Sequence, residues 1–107
     1  MKHNISLNME WIKECVSKEK YYFSRHGDVE RKKDNLSIQD VEQALLTGII
    51  LETYEDTGRG ESCLVVGFAK RIIPVHVVCG RLGENMVVVT VYIPTMPKFK
   101  TPFARAD

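Results

Sequence analysis

An α+β fold, with N-terminal helices packed on a four-stranded antiparallel meander sheet, follows from three features of the sequence. Apolar residues recur at helical spacing only before Gly48, β-branched runs broken by turn residues fill the stretch after it, and helices precede strands as in an α+β sandwich. The 107 residues suit one domain, 1–107, with a helical part at 8–47, a sheet at 49–93 and a basic C-terminal tail at 94–107. Apolar residues at 44% and charged residues at 27% exclude a disordered or collagen-like chain and supply a core that needs no disulfide or structural metal.

The first helix is expected from Asn8 to about Lys18, where Met9, Ile12 and Val16 repeat at three and four residues beside Trp11 and Cys15, with Asn8 as the cap. Tyr21-Tyr22-Phe23 reads as a short extended piece, after which Ser24 caps a polar helix through Lys33 that Gly27 weakens. Ser37 opens the clearest helix: Asp40 completes a capping box, Ile38, Val41 and Leu45 form the buried stripe, and Gly48 ends it. The predicted strands run from Ile49 to Glu55, Ser62 to Lys70, Val75 to Arg81 and Met86 to Ile93. Turns fall at Asp56-Thr57-Gly58-Arg59-Gly60, around Ile73-Pro74, and at Leu82-Gly83-Glu84-Asn85. The tail lacks periodicity and carries Lys98, Lys100 and Arg105 against Asp107.

Fifteen Lys and Arg against fourteen Asp and Glu give a net charge of +1, so no global field steers the chain to nucleic acid or membrane, and any polyanion site is local. Met1-Lys2-His3-Asn4-Ile5 has no apolar run of signal-peptide length and Met86 to Val89 is far too short to cross a bilayer, so the cytoplasm is the expected compartment. Cys15, Cys63 and Cys79 are odd in number and form no Cys-x-x-Cys pair, and they read as buried thiols. No metal and no cofactor is expected.

Strand alternation supplies the first chemical clue. His76, Val78 and Gly80 point one way on the third strand, and Val88, Thr90 and Tyr92 point together on the fourth. If both sets share a face, an imidazole, a hydroxyl and a phenol form a patch on a valine-rich sheet.

Several segments in order resemble one prokaryotic family, the domain of unknown function 4258: Tyr22-Phe23-Ser24-Arg25-His26, Ser37-Ile38-Gln39-Asp40-Val41, Gly48-Ile49-Ile50-Leu51-Glu52-Thr53-Tyr54, Pro74-Val75-His76-Val77-Val78 and Thr90-Val91-Tyr92-Ile93-Pro94. The resemblance covers about residues 21–103. It implies a domain similar to the RelE-like and BrnT-like toxins of bacterial toxin–antitoxin pairs, partnered by a small zinc-finger antitoxin of the YgiT or MqsA type. The expected function is a toxin-like domain acting as a metal-independent endoribonuclease on mRNA, with RNA or the ribosome as further partner. The alternatives are a non-catalytic RNA- or protein-binding module of the same fold and an enzyme acting on a small substrate in the same patch.

Metal-free RNA cleavage needs a base for the 2′-hydroxyl proton, an acid for the leaving 5′-oxygen and cations for the phosphorane charge. His76 is the first candidate base, since imidazole titrates near neutrality and a strand holds it rigidly; its other reading is a core histidine bonded to a backbone carbonyl. Tyr92 and Thr90 can orient a phosphate or donate a proton, or Tyr92 is a buried phenol with its hydroxyl paired. His26 lies four residues before Glu30 and beside Arg25, with Arg31 close, which reads as an acid–base or phosphate-holding cluster, as a partial metal site, or as a solvated helix face. Arg59 between Gly58 and Gly60 either binds phosphate or is only a turn. Lys98-Phe99-Lys100 either touches single-stranded RNA or belongs to a tail docked through Phe99 and Phe103.

Overall fold

Asn8 starts the first helix of the computed structural model, which describes residues 7–55, 58, 60–95 and 99–105, with the backbone alone at 99, 100 and 105. Its side-chain oxygen accepts the Trp11 amide at 2.8 Å and opens α1 (Met9–Ser17), whose Ile12, Cys15 and Val16 are buried. After β1 (Tyr21–Phe23), the Ser24 hydroxyl accepts the Gly27 amide at 2.9 Å and starts α2 (Arg25–Lys33), a polar helix that buries only Gly27. Helix α3 (Ile38–Leu46) carries the capping box complete: the Asp40 amide donates to the Ser37 hydroxyl at 3.0 Å and the Ser37 amide donates to the Asp40 carboxylate at 2.9 Å. Ile38 is 43% exposed rather than part of the buried stripe, because Val41, Ala44 and Leu45 are the residues that face the core.

The Ser37 amide bonded to its carboxylate holds Asp40 below the usual carboxylate range, against the opposing effect of desolvation, and the Lys70 ammonium at 3.7 Å adds to it. A depressed folded-state pKa contributes stability above the unfolded value of about 4 and loses it as pH falls through the folded value. We expect Asp40→Asn to cost about 1 kcal/mol at pH 7, measured by urea denaturation, and the difference from the unaltered chain to shrink below about pH 4. A difference that stays constant down to pH 2.5 or so would show that the carboxylate charge plays no part.

Strands β2 (Ile49–Tyr54), β3 (Ser62–Ala69), β4 (Ile73–Leu82) and β5 (Asn85–Tyr92) form the expected antiparallel meander, but the sheet is five-stranded and mixed, in the order β1-β5-β4-β3-β2. The added strand is β1, paired parallel to β5 from Tyr21 opposite Met86 to Phe23 opposite Val88. Three residues are too few to show a period of two, so the sequence displays an extended piece without displaying its partner. The tail adds a separate two-stranded hairpin, β6 (Phe99–Thr101) and β7 (Ala104–Arg105), where only irregular chain is expected.

The turn between β3 and β4 lies at Lys70, Arg71 and Ile72, with Ala69 opposite Ile73, so Ile73 and Pro74 belong to the strand and not to a turn. On the helix-covered face, Val65, Val77 and Val91 line up across three strands against Ile12, Val41 and Leu45. The opposite face carries Leu64, Val66 and His76, which are 0%, 1% and 0% exposed. The tail hairpin reaches this face, with the Phe103 ring 6.2 Å from that of Phe68.

Candidate functional site

His76 stands on β4 directly opposite Tyr92 on β5, and Val78 stands opposite Thr90, so the imidazole, the phenol and the hydroxyl share one face of the sheet. Val88 does not join them. The register shifts between Val78 and Cys79, which pairs with Val88, leaving Val89 as an extra residue on β5 and turning Val88 to the helix-covered face.

Tyr92 Oη lies 3.3 Å from His76 Nδ1, and the ring centroids are 5.2 Å apart. On the other side of the ring, Nε2 is 2.6 Å from the Pro102 carbonyl oxygen. A carbonyl only accepts, so Nε2 carries the proton, and in the neutral ring Nδ1 accepts from the Tyr92 hydroxyl. His76 is 0% exposed, and Tyr92 and Thr90 are half-buried beside it. The site is therefore an oriented imidazole–phenol pair on a rigid sheet, closed over by the chain's own tail.

The other candidate residues fall elsewhere. Arg25 and His26 are exposed in the first turn of α2, and the described partners of the His76 nitrogens are Tyr92 and Pro102. Glu30 is 3.7 Å from Lys33 across one turn of α2. Arg31 is held by the Asp28 carboxylate at 2.9 Å, the Leu36 carbonyl at 3.0 Å and the Phe23 ring at 5.5 Å. Arg59 and Lys98 lie outside the described residues, as does the Phe99 side chain. A groove of about 350 Å³ beside α1 is lined by Trp11, Glu14, Lys18, Lys20, Arg81 and Glu84. Its charges meet internally, Lys18 with Glu14 at 2.7 Å and Arg81 over Trp11 at 5.2 Å, away from the His76 patch.

The three cysteines converge in the core, Cys63 directly opposite Cys79 across β3 and β4. Burial pushes the Cys63 thiol up to about 12 and Cys79 well above its ordinary value, so neither is poised as a nucleophile. Among the described residues no group of three His, Cys, Asp or Glu side chains is arranged to hold a metal ion, and no helix is long and apolar enough to cross a membrane.

Sequence reasoning missed two contributors. Pro102 acts through its backbone carbonyl, for which no residue-type signal exists, and Phe68 is legible only as an apolar strand residue until Phe103 is seen against it. Among known families, the model described as "Domain of unknown function (DUF4258)" matches residues 23–93, a span that runs from the end of β1 past Tyr92 and takes in His76 and Thr90. No curated protein and no solved structure matches the chain.

Proposed function

The chain belongs to the DUF4258 family, and we propose that it is the toxin-like component of a bacterial toxin–antitoxin pair, a metal-independent endoribonuclease acting on mRNA in the cytoplasm. The observation that carries this reading is the His76–Tyr92 pair, an imidazole and a phenol at 3.3 Å on adjacent strands. In such a site a histidine takes the proton of the 2′-hydroxyl, the 2′-oxygen attacks phosphorus, and the 5′-oxygen leaves with a proton from an acid. The products are a 2′,3′-cyclic phosphate and a free 5′-hydroxyl. His76 is the base and Tyr92 the acid or phosphate-orienting group, with Thr90 on the same face as a further phosphate donor. The reading requires the tail to yield to substrate, since Nε2 is held by Pro102. A RelE-like or BrnT-like ancestry and a zinc-finger antitoxin of the YgiT or MqsA type belong to the same proposal, as does positioning by the ribosome, which suits a chain of net charge +1.

The second reading is a non-catalytic RNA- or protein-binding module, favoured by the complete burial of His76. Cleavage of total RNA, free and in translating ribosomes, by the purified chain in EDTA separates the two. We expect cleavage that falls about 100-fold or more in His76→Ala and about tenfold in Tyr92→Phe, which keeps the ring and its packing. No cleavage by the unaltered chain in either format, together with harmless expression in growing cells, overturns the catalytic reading in favour of the binding module.

A further inference from the structure

The β3–β4 hairpin places Lys70 and Arg71 at φ 49° and 75°, two consecutive side-chain-bearing residues in the left-handed region. Glycine or asparagine adopts the left-handed region with little strain; here a lysine and an arginine take it instead. The surrounding structure fixes the turn. The Lys70 amide donates to the Gln43 side-chain oxygen at 2.8 Å, the Lys70 ammonium lies 3.7 Å from Asp40, and Ala69 is fully buried beneath. What the strained turn presents is an exposed Arg71 guanidinium beside Ile72, which is 79% exposed. Lys70 has a structural use in its contact with Asp40, but strain kept at the exposed Arg71, where a glycine would serve the fold better, points to a use for the side chain it displays.

The tip lies at the end of the sheet nearer the imidazole. Ile73 to His76 is three residues along β4, roughly 10 Å, and the Phe68–Phe103 contact of the tail hairpin falls between them, opposite Pro74. We propose that the Lys70-Arg71-Ile72 tip holds the phosphate backbone of single-stranded RNA a few nucleotides from the His76 site, with Arg71 on phosphate and Ile72 against a base. The inference deepens the ribonuclease reading and rests on it for the choice of RNA. The chemistry is that of a guanidinium fork on a phosphate, and it supplies a local cation where the chain as a whole has no field to offer.

The test uses 2′-O-methyl RNA, labelled at one end, which has no free 2′-hydroxyl and so reports binding whether or not the chain cleaves. Arg71→Gln, which removes the charge and keeps the left-handed backbone, is expected to weaken binding about fivefold and to reduce the slope of log affinity against log salt by about one. Arg71→Lys, which keeps the charge and loses the fork, is expected to keep the salt slope while binding between Arg71→Gln and the unaltered chain. Arg71→Gly is expected to bind as weakly as Arg71→Gln while raising the thermal midpoint by about 4 °C, since it relieves the strain at φ 75°. Binding by Arg71→Gln within about twofold of the unaltered chain overturns the proposal, and so does an unaltered chain that does not bind this RNA at all; the cleavage assay then judges the catalytic reading by itself.

Discussion

Gly67→Ala is expected to cost at least about 3 kcal/mol, lowering the urea midpoint by more than any other single methyl added to this sheet. A Cβ at Gly67 would stand 1.8 Å from the Ala44 carbonyl oxygen and 2.6 Å from its carbon, so the obstacle is the backbone of α3 and not a side chain that can rotate away. Helix α3 is fixed in that position. The Thr47 hydroxyl accepts from the Phe68 amide at 3.1 Å, the Gln43 side chain accepts from Lys70, and Val41, Ala44 and Leu45 are fully buried. For the methyl to fit, α3 must lift from β3 and surrender part of the core. Gly80→Ala is the internal control, because its Cβ would meet Val89 Cγ2 at 3.5 Å and the Glu61 carbonyl oxygen at 3.7 Å, ordinary contacts. We expect it within about 1 kcal/mol of the unaltered chain. Equal effects at the two glycines would mean that α3 does not sit on β3 at Gly67.

That close approach was not visible in the sequence, and the reason is general to this chain. Features encoded within a few residues were legible: Asn8, Ser24 and Ser37 cap the helices they precede, and Asp40 closes the box with Ser37. Features that depend on two distant segments were not. Tyr21–Phe23 becomes a strand only because the free side of β5 offers it a ladder, seen where the Met86 amide donates to Lys20 and the Ser24 amide to Val88. One extra residue, Val89, reverses the parity of β5, so alternation assigns Thr90 and Tyr92 to the same face and misassigns Val88. The meeting of His76 and Tyr92 depended on a register that alternation cannot fix, and the tail's hold on His76 runs through a main-chain oxygen. Likewise, no local rule puts Lys and Arg in a left-handed turn, which is why the expected break fell at Pro74 and the real one falls at Lys70-Arg71-Ile72.

His76→Leu is expected to lose about 2–4 kcal/mol and to release the tail hairpin, two effects that follow from the same pair of bonds. Leucine comes close to the imidazole in volume, so the cavity left is small and the loss is chiefly of hydrogen bonding. Nε2 no longer donates to the Pro102 carbonyl, and Nδ1 no longer accepts from Tyr92. Both are bonds of a ring that is 0% exposed, where a broken partnership costs the desolvation of whatever remains. The hairpin of β6 and β7 forms its own sheet and shares no ladder with the main one, so among the described contacts it is His76 and the tilted Phe68–Phe103 pair that tie it to this face. Backbone amides of residues 99–105 should therefore exchange with deuterium at least about tenfold faster in His76→Leu, while those of Val41 to Leu46 change only as far as global stability does. Tyr92→Phe removes the contact to Nδ1 and keeps the Nε2 bond to Pro102, so it should lie between His76→Leu and the unaltered chain in both stability and tail exchange. Tail protection unchanged in His76→Leu would overturn this assignment, because the Nε2–Pro102 bond would then add nothing measurable to the docking of the hairpin.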